Sequence, residues 1–334
     1  MDRANESEFK EAREFFKKLP QKHEILWNDG PNLRSLDSKL AKHNLAPQEM
    51  GKGRNVWYCM GYILALGDTE AVALHDCDIV TYNRNLLARL VYPVANPKFN
   101  FDFCKGYYPR VSKTRVKGRV SRLLVTPLLR ALEKTIGFKE YISFLDSFRY
   151  PLAGEFSFRR RVLKDIRIPF DWGLEIGVLS EMYRNYAGNR LCQVDIADNY
   201  DHKHQELSID DQTAGLSKMS IDITKALFRK LATQGVTFTS ETIRSLKATY
   251  YRIGLDFIET YHNDALMNGL TLDIHQEEKA VEMFAQNIMN AGQHFLENPM
   301  EAPFVPSWNR VASAMPDVLE RLKEAVELDN EQYS

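Results

Sequence analysis

The sequence predicts an α/β fold: a mixed, mainly parallel sheet flanked by helices, followed by an α-helical C-terminal region. Three observations carry this. Over the first two-thirds, short apolar runs alternate with helical stretches. One run, Ala71–His75 (AVALH), leads straight into the polar turn Asp76-Cys77-Asp78. From about Asp211 the pattern changes to long amphipathic segments without strand-like runs between them.

Taken in order, Ser7–Lys18 has helical periodicity, with Phe9, Phe15 and Phe16 on its apolar side. Glu24–Trp27 (EILW) reads as a short strand, closed by the turn Asn28-Asp29-Gly30-Pro31. Ser35–His43 is helical in pattern, and Gly51-Lys52-Gly53 opens a second helix through Leu66. Leu123–Ile136 is a further helix, and Pro151–Phe158 and Leu191–Ile196 are further strands. Four long helices follow: Ser217–Gln234, Ser240–Met267, Gln276–Leu296 and Arg310–Leu328. In the second, Ile243, Leu246, Tyr250, Ile253 and Phe257 recur at helical spacing, and Ser240 with Glu241 and Thr242 is the expected cap. The expected organisation is residues 1–210 as the ligand-binding domain and 211–334 as a helical region that packs on the sheet.

Composition narrows the function classes. The 334 residues are 44% hydrophobic and 27% charged, which suits a globular chain and excludes extensive disorder. With 44 basic and 45 acidic residues the net charge is −1, against a general nucleic-acid coat. No apolar run approaches the ~20 residues of a membrane span, and Met1–Lys18 has no signal-peptide core. Cys59, Cys77, Cys104 and Cys192 show no CxxC spacing, so free thiols in a cytoplasmic protein are expected.

Five constellations carry possible chemistry. Asp76 and Asp78 alternate at the end of a strand, so both carboxylates share a side. Such a pair suits Mg²⁺ or Mn²⁺ bridging a nucleotide diphosphate, and equally a pair of solvated turn aspartates. Asp201-His202-Lys203-His204 offers an imidazole to complete that metal site, or two surface histidines. Lys105, Arg110, Lys113, Arg115, Lys117, Arg119 and Arg122 form a basic segment without an acid. A phosphorylated acceptor, nucleic acid and a solvated loop all fit it; only Tyr107 and Tyr108 interleave, few for single-strand stacking. Gly51-Lys52-Gly53-Arg54 places a lysine at a helix start, where phosphate binds, without Walker A spacing. Finally, Pro151-Leu152-Ala153-Gly154-Glu155 and Trp172-Gly173-Leu174-Glu175-Ile176-Gly177 each set a carboxylate beside glycine, where a sugar approaches the backbone closely or a helix simply starts.

In combination these motifs resemble the glucosyl-3-phosphoglycerate synthases, retaining glycosyltransferases of GT-A fold. The shared order is Gly51-Lys52-Gly53 with Trp57; Asp76-Cys77-Asp78; Gly118-Arg119-Val120-Ser121 leading to Pro127-Leu128-Leu129; Pro151–Glu155; Gly173–Gly177; and His202. The resemblance covers about Glu24–Leu207. It implies a GT-A-like sheet and a metal-dependent transfer of glucose from UDP-glucose to the hydroxyl of 3-phosphoglycerate. It also implies a homodimer, and neither a nucleic-acid nor a membrane partner.

The same resemblance assigns roles. Asp78 and His202 would hold the metal, and Asp76 would lie near the ribose or donor sugar. Lys52, Leu152, Gly154, Glu155 and Asp29 would face the nucleotide sugar, and Glu175 would hold glucose hydroxyls. Asp78 and Glu175 would carry the catalytic load. Gly118, Arg119, Val120 and Ser121 would grip the acceptor, joined by His204. Retention of configuration fits attack from the face the diphosphate leaves, with the leaving phosphate taking the proton; no residue is committed as a nucleophile. Mannosyl or other hexosyl transfer is the close alternative. One family element, a first strand with a Pro-Ala/Cys-Leu-Asn-Glu-like turn, is not found before Glu24. A catalytically silent phosphoglycerate-binding homologue is the reading that follows from that.

Overall fold

The computed structural model describes residues 1–112, 114–201, 215–299 and 304–332. In chain order the helices are α1 (Glu6–Phe16), α2 (Pro31–Lys42), α3 (Lys52–Leu66), α4 (Arg84–Ala95), α5 (Thr126–Ile136), α6 (Glu140–Asp146), α7 (Leu174–Asn185), α8 (Gly215–Ala232), α9 (Ser240–Met267), α10 (Ile274–Glu297), α11 (Trp308–Ala314) and α12 (Val318–Gln332). The strands are β1 (Ala71–Leu74), β2 (Phe103–Tyr107), β3 (Val111–Ser112), β4 (Arg115–Val116), β5 (Phe156–Arg159) and β6 (Leu191–Asp195). A π-helical turn spans Val120–Val125 and runs into α5. The chain divides into two compact units: Met1–Val72 with Phe158–Glu181 and Ala302–Ser334, and Ala73–Ser157 with Met182–Glu301.

The first unit is helical. Asn5 and Glu8 close a reciprocal capping box at the start of α1, at 3.0 and 2.8 Å. Phe9 alone of the three expected apolar phenylalanines is buried, stacked on Trp27 at 4.7 Å; Phe15 and Phe16 are exposed. Glu24–Trp27 does not form the predicted strand. Its backbone neighbour is the chain start, where Asn28 N–H donates to the Met1 carbonyl at 2.9 Å. Helix α2 starts with Pro31 at its first position and has no cap of its own. The buried Asp329 of α12 supplies one, accepting from Asn32 N–H at 3.0 Å and Leu33 N–H at 3.1 Å. Trp57 of α3 stacks on Trp308 of α11 at 4.2 Å, and Gly61 leaves the space that the Trp308 ring fills. The predicted Arg310–Leu328 helix is two helices, α11 and α12. Pro316 lies between them and supplies no N–H for a continuous ladder.

The second unit is α/β. The four-stranded sheet has the order β1-β5-β2-β6, with β1 and β5 at the points where the chain passes between units. Strands β2 and β6 pair in parallel from Phe103↔Leu191 to Tyr107↔Asp195. The hairpin β3-β4 is antiparallel. Helices α8, α9 and α10 pack on one another and on α5 and the π-helical turn. The N-cap of α9 is Thr239, one residue before the expected Ser240. Where a single helix is predicted over Leu123–Ile136, the π-helical turn leads into α5 instead. Pro127 cannot donate to the carbonyl four residues back, Leu123. The buried Tyr250 hydroxyl of α9 donates to that oxygen at 2.6 Å.

Helices α8–α10 belong with the sheet, whereas residues 302–334 belong with the helical unit, held there through Trp308 and Asp329. Among the described residues no helix is long and apolar enough to cross a membrane, and all four cysteines are free thiols.

Candidate active site

In the sheet unit, β1 delivers the chain to Asp76-Cys77-Asp78. Asp76 is half-buried and Asp78 exposed. The Asp76 carboxylate lies against Gly154, and a Cβ there would push it aside. Just beyond, Val80 N–H donates to the Asp201 carbonyl at 2.8 Å, and Asp201 N–H donates to Thr81 Oγ1 at 3.0 Å. The segment entering His202 therefore runs against the loop carrying Asp78. His202 and His204 themselves lie outside the described residues, as does Lys113. Among the described residues no three His, Cys, Asp or Glu side chains gather as a metal site.

Glu155 is fully buried. Its Oε1 accepts from the Tyr200 hydroxyl at 2.5 Å and its Oε2 from the Tyr108 hydroxyl at 2.7 Å. The Asp76 amide lies 3.5 Å from the same Oε1. The Tyr108 and Tyr200 rings stack at 3.6 Å. Burial and the Glu155 charge push both phenols well above the ordinary tyrosine value. Glu155 thus ties β1, β2 and the approach to His202 together and presents no surface to solvent. Leu152 and Ala153 precede it, and the Ala153 carbonyl accepts from Lys105 Nζ at 2.5 Å. Lys105 is therefore a buried residue of β2 and stands apart from the cations that follow it in the basic segment.

That segment folds around a cleft of about 270 Å³. Gly118 and Ser121 line it, together with Arg110, Lys117, Arg122 and Arg149. Gly118 has φ +76°, and a Cβ there would press on Arg110 Cβ at 3.0 Å. Arg110 donates to the Tyr150 hydroxyl at 2.9 Å. Arg119 points elsewhere: its Nε donates to Glu277 Oε1 of α10 at 2.7 Å. Val120 begins the π-helical turn. The roles of Tyr108, Tyr200 and Glu277 were not visible in the sequence; Tyr200, one residue before Asp201-His202, is the one with a positional cue.

In the helical unit, Lys52 starts α3 and Glu175 lies in the first turn of α7. Lys52 Nζ and Glu175 Oε1 are 2.9 Å apart, with the glutamate side chain mostly buried. A carboxylate in a first turn faces the positive end of the helix dipole. Gly53 lets α3 touch the Pro169-Phe170 backbone, and Gly177 makes room for the Pro169 ring. Asp29 is engaged structurally: its carboxylate accepts from Ala4 N–H at 3.1 Å and lies 3.8 Å from the buried Arg54.

No protein-family model matches the chain. The glucosyl-3-phosphoglycerate synthase of Persephonella marina is 44% identical over 330 residues, covering 99% of this chain and 81% of that protein. The enzyme of the same name from Methanococcoides burtonii is 40% identical over 324 residues, 96% of this chain and 79% of that one. Among solved structures, glucosyl-3-phosphoglycerate synthase of Mycobacterium tuberculosis in complex with Mn²⁺, UDP-glucose and phosphoglyceric acid is 22% identical. It covers 61% of each chain at a TM-score of 0.45. The near-complete matches at 44% and 40% identity place this chain in the glucosyl-3-phosphoglycerate synthase family of glycosyltransferases.

Proposed function

We propose that this chain transfers glucose from UDP-glucose to the hydroxyl of 3-phosphoglycerate, giving glucosyl-3-phosphoglycerate. The observation that carries the reading is the basic cleft around Gly118 and Ser121, in a chain 44% identical to a glucosyl-3-phosphoglycerate synthase over nearly its full length. An acceptor with a phosphate and a carboxylate needs fixed cations, and Arg110, Lys117, Arg122 and Arg149 supply them.

The metal suited to this chemistry is Mg²⁺ or Mn²⁺, held by Asp78 and His202. The donor set of carboxylate and imidazole fits these ions, and the hydrogen-bonded contact between residues 80–81 and Asp201 supports bringing the two together. When bound, the ion neutralises the charge that develops on the leaving diphosphate. Asp76, wedged against Gly154, orients the donor on the ribose and sugar side. Leu152 and Gly154 let the donor approach the backbone. Glu155 acts through Tyr108 and Tyr200, fixing the position of Asp76. Lys52 contacts the nucleotide, and Glu175 accepts from glucose hydroxyls, with their mutual ion pair keeping both oriented. Gly118, Val120 and Ser121 offer backbone and hydroxyl groups to the acceptor. His204 belongs to the acceptor side. Arg119 steadies the site through Glu277. The acceptor hydroxyl attacks from the face the diphosphate leaves, and the departing phosphate oxygen takes its proton. A homodimer and a cytoplasmic location belong to the same proposal, checked by light scattering and cell fractionation.

The test is mass spectrometry of a reaction of the protein with UDP-glucose, 3-phosphoglycerate and Mg²⁺, with an EDTA control. A metal-dependent hexosyl-phosphoglycerate is expected. Product with GDP-mannose but not UDP-glucose would move the reading to mannosyl transfer. Absence of product with every nucleotide sugar, alongside retained 3-phosphoglycerate binding, would leave a silent binding homologue.

A further inference from the structure

Two polar atoms beside the basic cleft are buried without a hydrogen-bond partner: Ser121 Oγ and Arg122 Nη1. Both residues are only 8% exposed, and both line the cleft. Buried polar groups are normally satisfied, and leaving one unpaired is costly. Here the two orphans are neighbours in one turn, and that turn is π-helical, a rare conformation found frequently at functional sites.

The rest of Arg122 is fixed with care. Its Nε donates to the Lys117 carbonyl at 2.8 Å, and its Nη2 to Glu277 Oε2 at 2.7 Å. The guanidinium lies 4.7 Å from the Tyr261 ring centroid of α9. Glu277, itself 2% exposed, spends its other oxygen on Arg119. Three elements thus hold one guanidinium so that only Nη1 is uncommitted. Around it, Arg110, Lys117 and Arg149 also line the cleft, against the single acid Asp264 among the described lining residues.

We infer that Arg122 is an acceptor-binding residue whose Nη1, with Ser121 Oγ, receives the phosphate of the phosphorylated acceptor, and that Glu277 is the positioning residue that presents it. A tetrahedral phosphate offers enough oxygens to satisfy both orphans while meeting Lys117 and Arg110. This assignment rests on the proposed transfer to 3-phosphoglycerate. It adds a wall from α9 and α10 to the acceptor site, beyond the Gly118–Ser121 backbone.

The experiment measures the affinity of the full chain for 3-phosphoglycerate, inorganic phosphate and D-glycerate by calorimetry, without donor. Arg122→Lys keeps the charge and removes the fork. It is expected to weaken 3-phosphoglycerate and inorganic phosphate binding about 10-fold or more and to leave D-glycerate within about 2-fold. Glu277→Gln is expected to raise the acceptor KM about 3–10-fold, with the UDP-glucose KM and kcat close to wild type. A general loss of structure would move both KM values and kcat together. Unchanged phosphate affinity in folded Arg122→Lys overturns the assignment, as does a loss confined to D-glycerate. Wild-type binding of inorganic phosphate but not of 3-phosphoglycerate, weakened by Arg122→Lys, would sink the acceptor's identity and leave the phosphate site standing.

Discussion

Replacing Tyr250 by Phe removes one oxygen and keeps the ring, so it tests how the π-helical turn joins α5. Pro127 has no N–H, and the Leu123 carbonyl therefore loses its regular partner. The Tyr250 hydroxyl replaces it at 2.6 Å, and both residues are fully buried. Deleting the hydroxyl removes a hydrogen-bond donor from a fully buried carbonyl that water cannot reach. The cost of an orphaned buried acceptor is about 1–3 kcal/mol, with no cavity term because the ring stays. Urea unfolding should show a lower midpoint at unchanged slope, with a stability loss in that range. The acceptor KM should rise less than in Arg122→Lys, because Ser121 and Arg122 keep their own contacts. An unchanged midpoint would refute the claim that this hydroxyl sustains the turn.

Three other outcomes follow from the same geometry. Asp329→Ala removes the carboxylate that caps α2 and should cost about 1–2 kcal/mol in thermal or urea unfolding; a neutral result would mean solvent caps the helix as well. Tyr108 and Tyr200 hold their protons more tightly when folded than the ordinary tyrosine value allows. Their stabilisation is therefore complete below about pH 10 and falls as pH rises further, by up to about 1.4 kcal/mol per pH unit for each phenol. Unfolding free energies from pH 8 to 11 should show this slope, and Tyr200→Phe should make it shallower; an unchanged slope would remove Tyr200 as its source. Glu175→Gln should lower kcat about 10–100-fold through loss of a charged hydrogen-bond acceptor, with circular dichroism unchanged; full activity would remove Glu175 from the donor contacts.

What the sequence revealed was local. Strand β1 ending in Asp76-Cys77-Asp78 was legible because a β-branched and apolar run breaks abruptly into a polar turn. Helix α9 was legible because five apolar residues hold one face over four turns. Glu24–Trp27 misled because an apolar run becomes a strand only beside another strand, and here Trp27 packs on Phe9 of helix α1 instead. Pro316 lay in plain view inside a periodic pattern that it in fact interrupts. The basic segment was visible as charge, but its partition was not. Lys105 went into the sheet, Arg119 to Glu277, and Arg110, Lys117 and Arg122 to the cleft. Arg122 and its clamp Glu277 lie 155 residues apart. No spacing rule reaches that far, and only the packing of α10 on the π-helical turn joins them. Asp329, a cap for a helix almost 300 positions earlier, was invisible for the same reason.

The discontinuity of the helical unit bears on synthesis. Chains emerge from the ribosome at roughly 5–20 residues per second, and domains tend to fold as they appear. The sheet unit, Ala73–Ser157 with Met182–Glu301, is synthesised before residues 302–334. The helical unit cannot close until that last stretch arrives, because Trp308 fills the space at Gly61 and Asp329 caps α2. During this interval the apolar faces of α2 and α3 await their cover. Synthesis of residues 302–334, more than thermodynamic stability, then sets when α2 gains its cap and Gly61 its ring, and slow codons placed before residue 302 would lengthen the exposure.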